Sequence, residues 1–277
     1  MAELKQIGTK NKLDGGLSFK VSRFKEQIKR TTPHKHDEYY ELIFLHEGEG
    51  FHTVETEKFL VSPPECYFLK PGQLHFWQFT AIPKGFVVLF KDTEFDQLEE
   101  PDLVAMCNQL VSLTRLPIPA RLYPSAVLTE MVIEFGQHSL YSQTILHGLL
   151  RALFGKVLNL SHSDSLPTGQ PTSLFERFRQ LLVRECPHLR KVNEFANLLN
   201  TSPQNLNAIC RKQTGQSASA IISAQLMLEA KRYILHTDNT ISEIAELLSF
   251  SDASNFVKFF RKAEGTTPAQ FREKYFQ

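Results

Sequence analysis

The hydrophobic positions of this chain follow two different periods. Between Leu17 and Phe90, short runs alternate apolar and polar residues, as in LSFKV, YYELIFL and CYFLK, and Gly or Pro interrupts them at EGEG, SPPE, KPGQ and IPKG. Alternation sends successive side chains to opposite faces of a strand. Residues 1–93 are therefore expected to form an all-β domain, an antiparallel sheet closed into a small barrel or sandwich. From Glu94 to Leu160 the alternation is lost and the reading turns helical. Leu146, Leu150, Leu153, Val157 and Leu160 step by four and three residues in turn, a heptad seam. Such a seam either packs against a second copy or docks on the sheet. Dimerisation through residues 94–160 is the expectation.

Ser161 to Ser173, SHSDSLPTGQPTS, is rich in Ser, Thr, Pro and Gly and reads as a linker. Beyond it the pattern is helical and repeats itself. In VNEFANLLNTSPQNLNAICRKQTG, residues Val192, Phe195, Ala196 and Leu199 lie on one helical face. Ser202 can cap a second helix that begins at Pro203, carries Leu206, Ile209 and Cys210, and ends at Gly215. About 49 residues further on, Ile241, Ile244, Ala245 and Leu248 repeat the first stripe. Phe256, Phe259 and Phe260 repeat the second, and Gly265 closes it. Between the two units, Ala220 to His236 reads as one long connecting helix.

Charge sharpens this division. The whole chain carries a net +1, but Leu174 to Gln277 holds 14 Lys plus Arg against 10 Asp plus Glu, leaving 17 and 20 for the rest. The halves thus carry +4 and −3. With 42% hydrophobic and 22% charged residues the chain can bury real cores, which excludes a disordered or disulfide-stapled protein. Apolar runs such as FVVLF are too short to span a bilayer, and the start lacks a secretory signal, so a cytoplasmic protein without membrane contact is expected. Cys66, Cys107, Cys186 and Cys210 show no paired spacing and read as reduced core residues.

Two short helices joined by a tight turn can set the second helix into a DNA major groove. The exposed positions of the first such helix are Gln204, Asn205, Asn207, Ala208, Arg211 and Lys212; those of the second are Asp252, Ser254, Asn255, Lys258, Arg261 and Lys262. Amides suit adenine edges, and cations suit guanine or phosphate. A protein-binding helical repeat is the other reading of the spacing. The stretch EAKRYILHTDNTISEIAELLSFSDASNFVKFFRKAEGTTPAQFR resembles the C-terminal signature of the AraC/XylS family of bacterial transcription regulators. That resemblance covers roughly Leu174 to Tyr275 and implies an all-α DNA-binding domain, residues 174–277, of seven helices with two helix-turn-helix motifs. It implies base-reading positions at Gln204, Asn207 and Ala208, and at Ala253, Ser254, Asn255 and Lys258. The chain departs from the family pattern at Ala208, Gln225, Ser249, Ala253 and Asn255.

The N-terminal half holds a second constellation. PHKHDEYYELIFLHEGEG contains His34, His36 and Glu41, and His75 follows PGQL. This arrangement resembles the two cupin motifs, whose barrels hold a divalent metal through His34, His36, Glu41 and His75 in this numbering. Three imidazoles and a carboxylate suit Fe, Mn, Ni, Cu or Zn. The regulator resemblance implies instead a cupin-like domain without metal, in which His34, His36, Glu41, His75 and Trp77 line a small-molecule pocket. No cofactor and no catalytic residue is expected.

The combined expectation is a two-domain, DNA-binding transcription regulator controlled by an unidentified small molecule bound in the cupin-like barrel. It would bind double-stranded DNA as a homodimer, and RNA polymerase stays open as a further partner. The rival is a metal-dependent cupin enzyme with a regulatory tail, which metal analysis would separate.

Overall fold

Strands β4 (Tyr40–Val54) and β7 (His75–Phe90) run antiparallel over nearly their full lengths and form the spine of the N-terminal sheet. The computed structural model describes residues 7–13, 17–36, 38–91, 101–110, 113–137, 139–161 and 174–276. Most of the expected linker, 162–173, and the start of the expected helical segment, 94–100, lie outside the described residues. The remaining strands are β1 (Gly8–Thr9), β2 (Phe19–Arg23), β3 (His34–Lys35), β5 (Glu57–Val61), β6 (Glu65–Leu69) and β8 (Arg115–Pro117). Their order is β1-β3-β7-β4-β6-β8, with β2 also on β7 and β5 also on β4. The expected closed barrel is corrected here. Among the described residues the paired strands form an open sheet with β1 and β8 at its two ends, with no hydrogen-bonded ladder joining them.

Two of the expected breaks are not breaks. EGEG lies inside β4, where the register against β7 shifts between Leu45 and Gly50, and Gly48 and Gly50 take φ values of 131° and 128°. These are bulges, which bend a long strand without ending it. A Cβ at Gly50 would lie 2.2 Å from the Gln78 carbonyl oxygen, so glycine is required there. IPKG likewise sits within β7.

Residues Leu42 to Leu45 are buried on both faces of the sheet. Leu42 and Phe44 join Phe68, Val88 and Phe90 in one core, while Ile43 and Leu45 join Tyr67, Trp77 and Phe79 in another. Helices α1 (Pro101–Leu110), α2 (Ser125–Gln137) and α3 (Ser142–Ser161) cover the first face. The heptad seam is consumed there. Leu146, Leu150, Leu153 and Val157 are buried in that core and Leu160 packs against it, so this seam docks on the sheet and does not meet a second copy. Each such side chain contributes about 1.5–3 kcal/mol by leaving water. The expected all-helical stretch 94–160 is also interrupted by β8, which pairs with β6.

Contacts divide the chain into two units, Thr9–Pro171 and Thr172–Gln277 together with Met1–Gly8. The described residues of the C-terminal unit form seven helices: α4 (Leu174–Glu185), α5 (Val192–Leu198), α6 (Pro203–Thr214), α7 (Ala218–His236), α8 (Ile241–Leu247), α9 (Ala253–Glu264) and α10 (Pro268–Phe276). Its core holds both predicted stripes, with Phe195, Ala196, Leu206 and Cys210 from one unit of the repeat and Ile244, Ala245, Phe256 and Phe260 from the other. The turns repeat as well. Asn200 and Ser249 both take a positive φ, and the Thr201 and Phe250 N–H groups each donate to the carbonyl of Ala196 or Ala245 at 2.9 Å. Ser202 and Asp252 cap α6 and α9 by accepting from Asn205 N and Asn255 N. Gly215 and Gly265 end them in the left-handed conformation that glycine adopts freely. Among the described residues no helix is long and apolar enough to cross a membrane.

Candidate functional site

Helices α6 and α9 present the same polar face. Gln204, Asn205, Ala208, Arg211 and Lys212 are exposed on α6, as are Ser254, Asn255, Lys258, Arg261 and Lys262 on α9. The capped N-termini hold the amides in place. Asn205 Nδ2 donates to Thr201 Oγ1 at 2.9 Å, and Asn255 Nδ2 donates to Ser251 Oγ at 2.9 Å and Asp252 Oδ2 at 2.7 Å. Two of the expected reading positions behave otherwise. Asn207 is half-buried, its Nδ2 donating to Pro203 O at 3.0 Å and its Oδ1 accepting from Ala218 N at 3.0 Å. Ala253 is half-buried and packs on the core.

Sequence reasoning missed a brace behind the second turn. The Arg190 guanidinium lies 4.0 Å over the Phe250 ring, and Nη1 donates to Ser249 O at 2.7 Å. Its only sequence signal is a basic residue before the first repeat.

In the sheet unit, the four expected ligands come together. His34 lies directly across from His75 in the β3–β7 register, whereas Glu41, paired with Leu69 of β6 and Leu89 of β7, meets the histidines through its side chain. All four side chains, His36 included, are buried. His36 Nε2 lies 3.0 Å from His75 Nε2 and 2.8 Å from Glu41 Oε2, and His75 Nε2 lies 3.6 Å from Glu41 Oε2. The nitrogens that His34, His36 and His75 can offer a metal all lie within 4.8 Å of one another.

Backbone carbonyls orient two of the rings. His34 Nδ1 donates to Thr32 O and His36 Nδ1 to Lys10 O, each at 2.8 Å. A carbonyl only accepts, so a proton is assigned to each Nδ1, and each Nε2 turns to the remaining side. Tyr39 supports this arrangement, its hydroxyl donating to Lys10 O at 3.1 Å beside His36 Nδ1.

Lys12, Tyr39 and His52 were not among the expected residues. Lys12 Nζ donates to Glu41 Oε1 at 2.6 Å. His52 lies across from Trp77 in the β4–β7 register, stacks on its ring at 3.6 Å and reaches His75 Nδ1 at 3.1 Å. Trp77 is thus buried in the sheet core against His52. The signal for His52 was present as a period-two position in FHTV, but only the register with β7 reveals its partner.

Burial pushes the His34 imidazole down to about 4, and pushes His52 and His75 well below their ordinary value. The rings of His34, His52 and His75 are therefore neutral near pH 7. Burial alone would raise the Glu41 carboxyl, but the Lys12 ammonium, a hydrogen bond from His36 and the neighbouring His75 together outweigh it and hold Glu41 well below the usual carboxylate range. The result is a buried carboxylate anion with the neutral His75 imidazole 3.6 Å from it.

A sheet unit with a buried polar cluster is joined in one chain to a helical unit with two matching polar helix faces, a layout that suits a ligand-binding, DNA-binding regulator. Comparison supports each half. Residues 21–88 match the model of the AraC-like ligand binding domain, and residues 195–274 match that of a helix-turn-helix domain. Together they take in more than half of the chain. The chain belongs to the AraC family of transcriptional regulators. The transcriptional activator RhaS of Citrobacter koseri is 21% identical over 249 residues, 87% of each chain. An uncharacterized regulator of Bacillus subtilis, YtdP, is 34% identical over 83 residues, which is 30% of this chain and 11% of YtdP. Among solved structures, fatty-acid-bound ToxT of Vibrio cholerae aligns over 94% of this chain and 96% of its own with 16% identity and a TM-score of 0.47.

Proposed function

We propose that α6 and α9 each enter a major groove of double-stranded DNA, as two helix-turn-helix motifs of one domain, residues 174–277. The observation that carries this reading is the pair of matching exposed faces, Gln204, Asn205, Ala208, Arg211 and Lys212 beside Ser254, Asn255, Lys258, Arg261 and Lys262, on helices with equivalent caps and turns. Asn207 and Ala253 serve these helices by holding them to their own unit. The sheet and its helices act as a cupin-like sensing domain, and His34, His36, Glu41 and His75 are its effector-binding groups, with Trp77 behind them. Residues 161–173 act as the linker. RhaS is by its name a transcriptional activator, which supports control of transcription in the cytoplasm and leaves RNA polymerase as a partner.

Dimerisation falls to the region 94–160, on a face other than the heptad seam. Ile133, Leu140, Tyr141 and Ile145 are exposed on and between α2 and α3, and pairing would remove them from water. The sensing unit would bias DNA binding only through different effector affinities in two arrangements of the chain.

The test is selection of bound sequences from a random DNA pool by the full-length protein, with Gln204→Ala and Lys258→Ala in parallel. Two enriched motifs about one helical turn apart are expected, one relaxed in each variant. Arg211, Lys212, Arg261 and Lys262 should make affinity fall steeply with salt. A flat salt response with no enrichment would overturn the reading.

A further inference from the structure

One segment of the sheet unit carries a charge opposite to that of its own half of the chain. Residues 23–35 hold Arg23, Lys25, Lys29, Arg30 and Lys35 against Glu26 alone, a net +4, where residues 1–173 together carry −3. We propose that this segment is a second, sequence-independent DNA contact, in which Lys25, Lys29 and Arg30 meet phosphates of the duplex that α6 and α9 read. The contact lies outside the helical unit and rests on the reading of that unit as DNA-binding. Three observations carry it.

First, these cations have no carboxylate to neutralise them. Lys12, Lys84, Lys91 and Arg115 of the same unit are each paired, with Glu41, Glu47, Glu38 and Glu65. Lys25, Lys29 and Arg30 are exposed and form no ion pair among the described residues. Second, the backbone that carries them is fixed along β7. Phe24 N donates to Gly85 O at 2.8 Å, Phe79 N to Lys29 O at 2.7 Å, and Thr31 N to Trp77 O at 3.0 Å, while Arg30 bridges to Gln78. Phe24 is buried in the sheet core and Ile28 packs against it. The cations are thus set on an ordered edge, and binding need not order the backbone that bears them.

Third, the exposed face has no apolar anchor. From Lys25 to Thr32 every exposed side chain is polar, because Phe24 and Ile28 turn inward. A protein interface draws its energy from buried aromatic or aliphatic centres, and a membrane-surface segment from apolar side chains sunk below the headgroups. A duplex backbone requires neither, since it offers about one phosphate charge per 1.7 Å of axis and binds cations by releasing its counterions. The two units belong to one chain, so DNA held by the helical unit meets this segment at a raised effective concentration.

The experiment measures binding of the full-length protein to a duplex without the selected motifs over a range of salt, beside the sequence selection described above. The combined variant Lys25→Gln, Lys29→Gln, Arg30→Gln should bind about tenfold more weakly and lower the slope of log affinity against log salt by about 2–3, with the selected motifs unchanged. Arg121→Gln, Arg151→Gln and Lys156→Gln together remove the same charge from exposed positions elsewhere on the unit and should leave the slope nearly as it was. All six side chains are exposed, and thermal melting confirms that both variants fold. An unchanged slope in the first variant, or an equal loss in the second, would overturn the contact. Binding to vesicles of phosphatidylcholine and phosphatidylglycerol that the first variant loses, with its DNA binding intact, would overturn the choice of DNA as partner. If the parent selects no motif but the first variant still shows the reduced slope, the contact stands and the reading of α6 and α9 falls instead.

Discussion

Asn207 Oδ1 accepts the Ala218 N–H at 3.0 Å, so a side chain of α6 caps the first turn of α7. That N–H has no partner within its own helix, and the Asn207 amide is committed to it and to Pro203 O. The matching position in the second unit is Val257, half-buried like Asn207. Both positions are expected to hold their helices in place.

Asn207→Ala should therefore cost about 1 kcal/mol in the urea unfolding of the helical unit. It should weaken DNA binding without relaxing one selected motif alone. Unchanged stability with a single relaxed motif would return Asn207 to the reading face.

Arg190→Ala removes both the ring contact to Phe250 and the hydrogen bond to Ser249 O, the residue that turns the chain between α8 and α9. Destabilisation of about 1 kcal/mol is expected, with a larger loss at the motif read by α9 than at the other. Arg190→Lys should recover only part, because an ammonium lacks the planar face that stacks on Phe250. Urea melts and the same DNA selection would show it.

Gly85 stands opposite Leu45 at the centre of the β4–β7 pair, and a Cβ there would lie 1.8 Å from the Phe44 carbonyl oxygen. Gly85→Ala must push the two central strands apart and should cost roughly 3 kcal/mol or more. Gly136→Ala is the control. A Cβ on this helical residue meets nothing within 4 Å, so the substitution should stabilise by about 0.5–1 kcal/mol. Thermal melting of both variants tests the contrast.

Asp252 caps α9 through Asn255 N at 2.8 Å, and that backbone hydrogen bond holds its carboxyl below the ordinary value. A carboxyl lowered on folding stabilises the native state above its unfolded value of 3.8, and the contribution is lost as pH falls further. Asp252→Asn should keep the cap but remove this part of the acid sensitivity, and Asp252→Ala should lose both. Urea midpoints at pH 7 and across the acid range would reveal a variant that titrates like the parent and so contradict the assignment.

The helical unit was legible because its signals are local. Ser202 before Pro203, Gly215 and Gly265 after the stripes, and the i, i+3, i+4 spacing of Phe195, Ala196 and Leu199 each describe residues within a turn or two of one another. The structure places them as caps, helix ends and core. Strands were legible wherever alternation was clean, as at LSFKV and CYFLK. What escaped was decided by partners far along the chain. EGEG reads as a break until β7 supplies the neighbour that turns it into a bulge, and the Leu146 seam reads equally well as a dimer contact until the sheet claims it. His34, His36, Glu41 and His75 could be named from spacing alone. That they close to contact, with Lys12 and His52 on either side, follows from strand register and from a segment 29 residues ahead of Glu41. Periodicity reports which face a residue occupies; only the fold settles what stands across from it, because burial and pairing energies belong to contacts between elements.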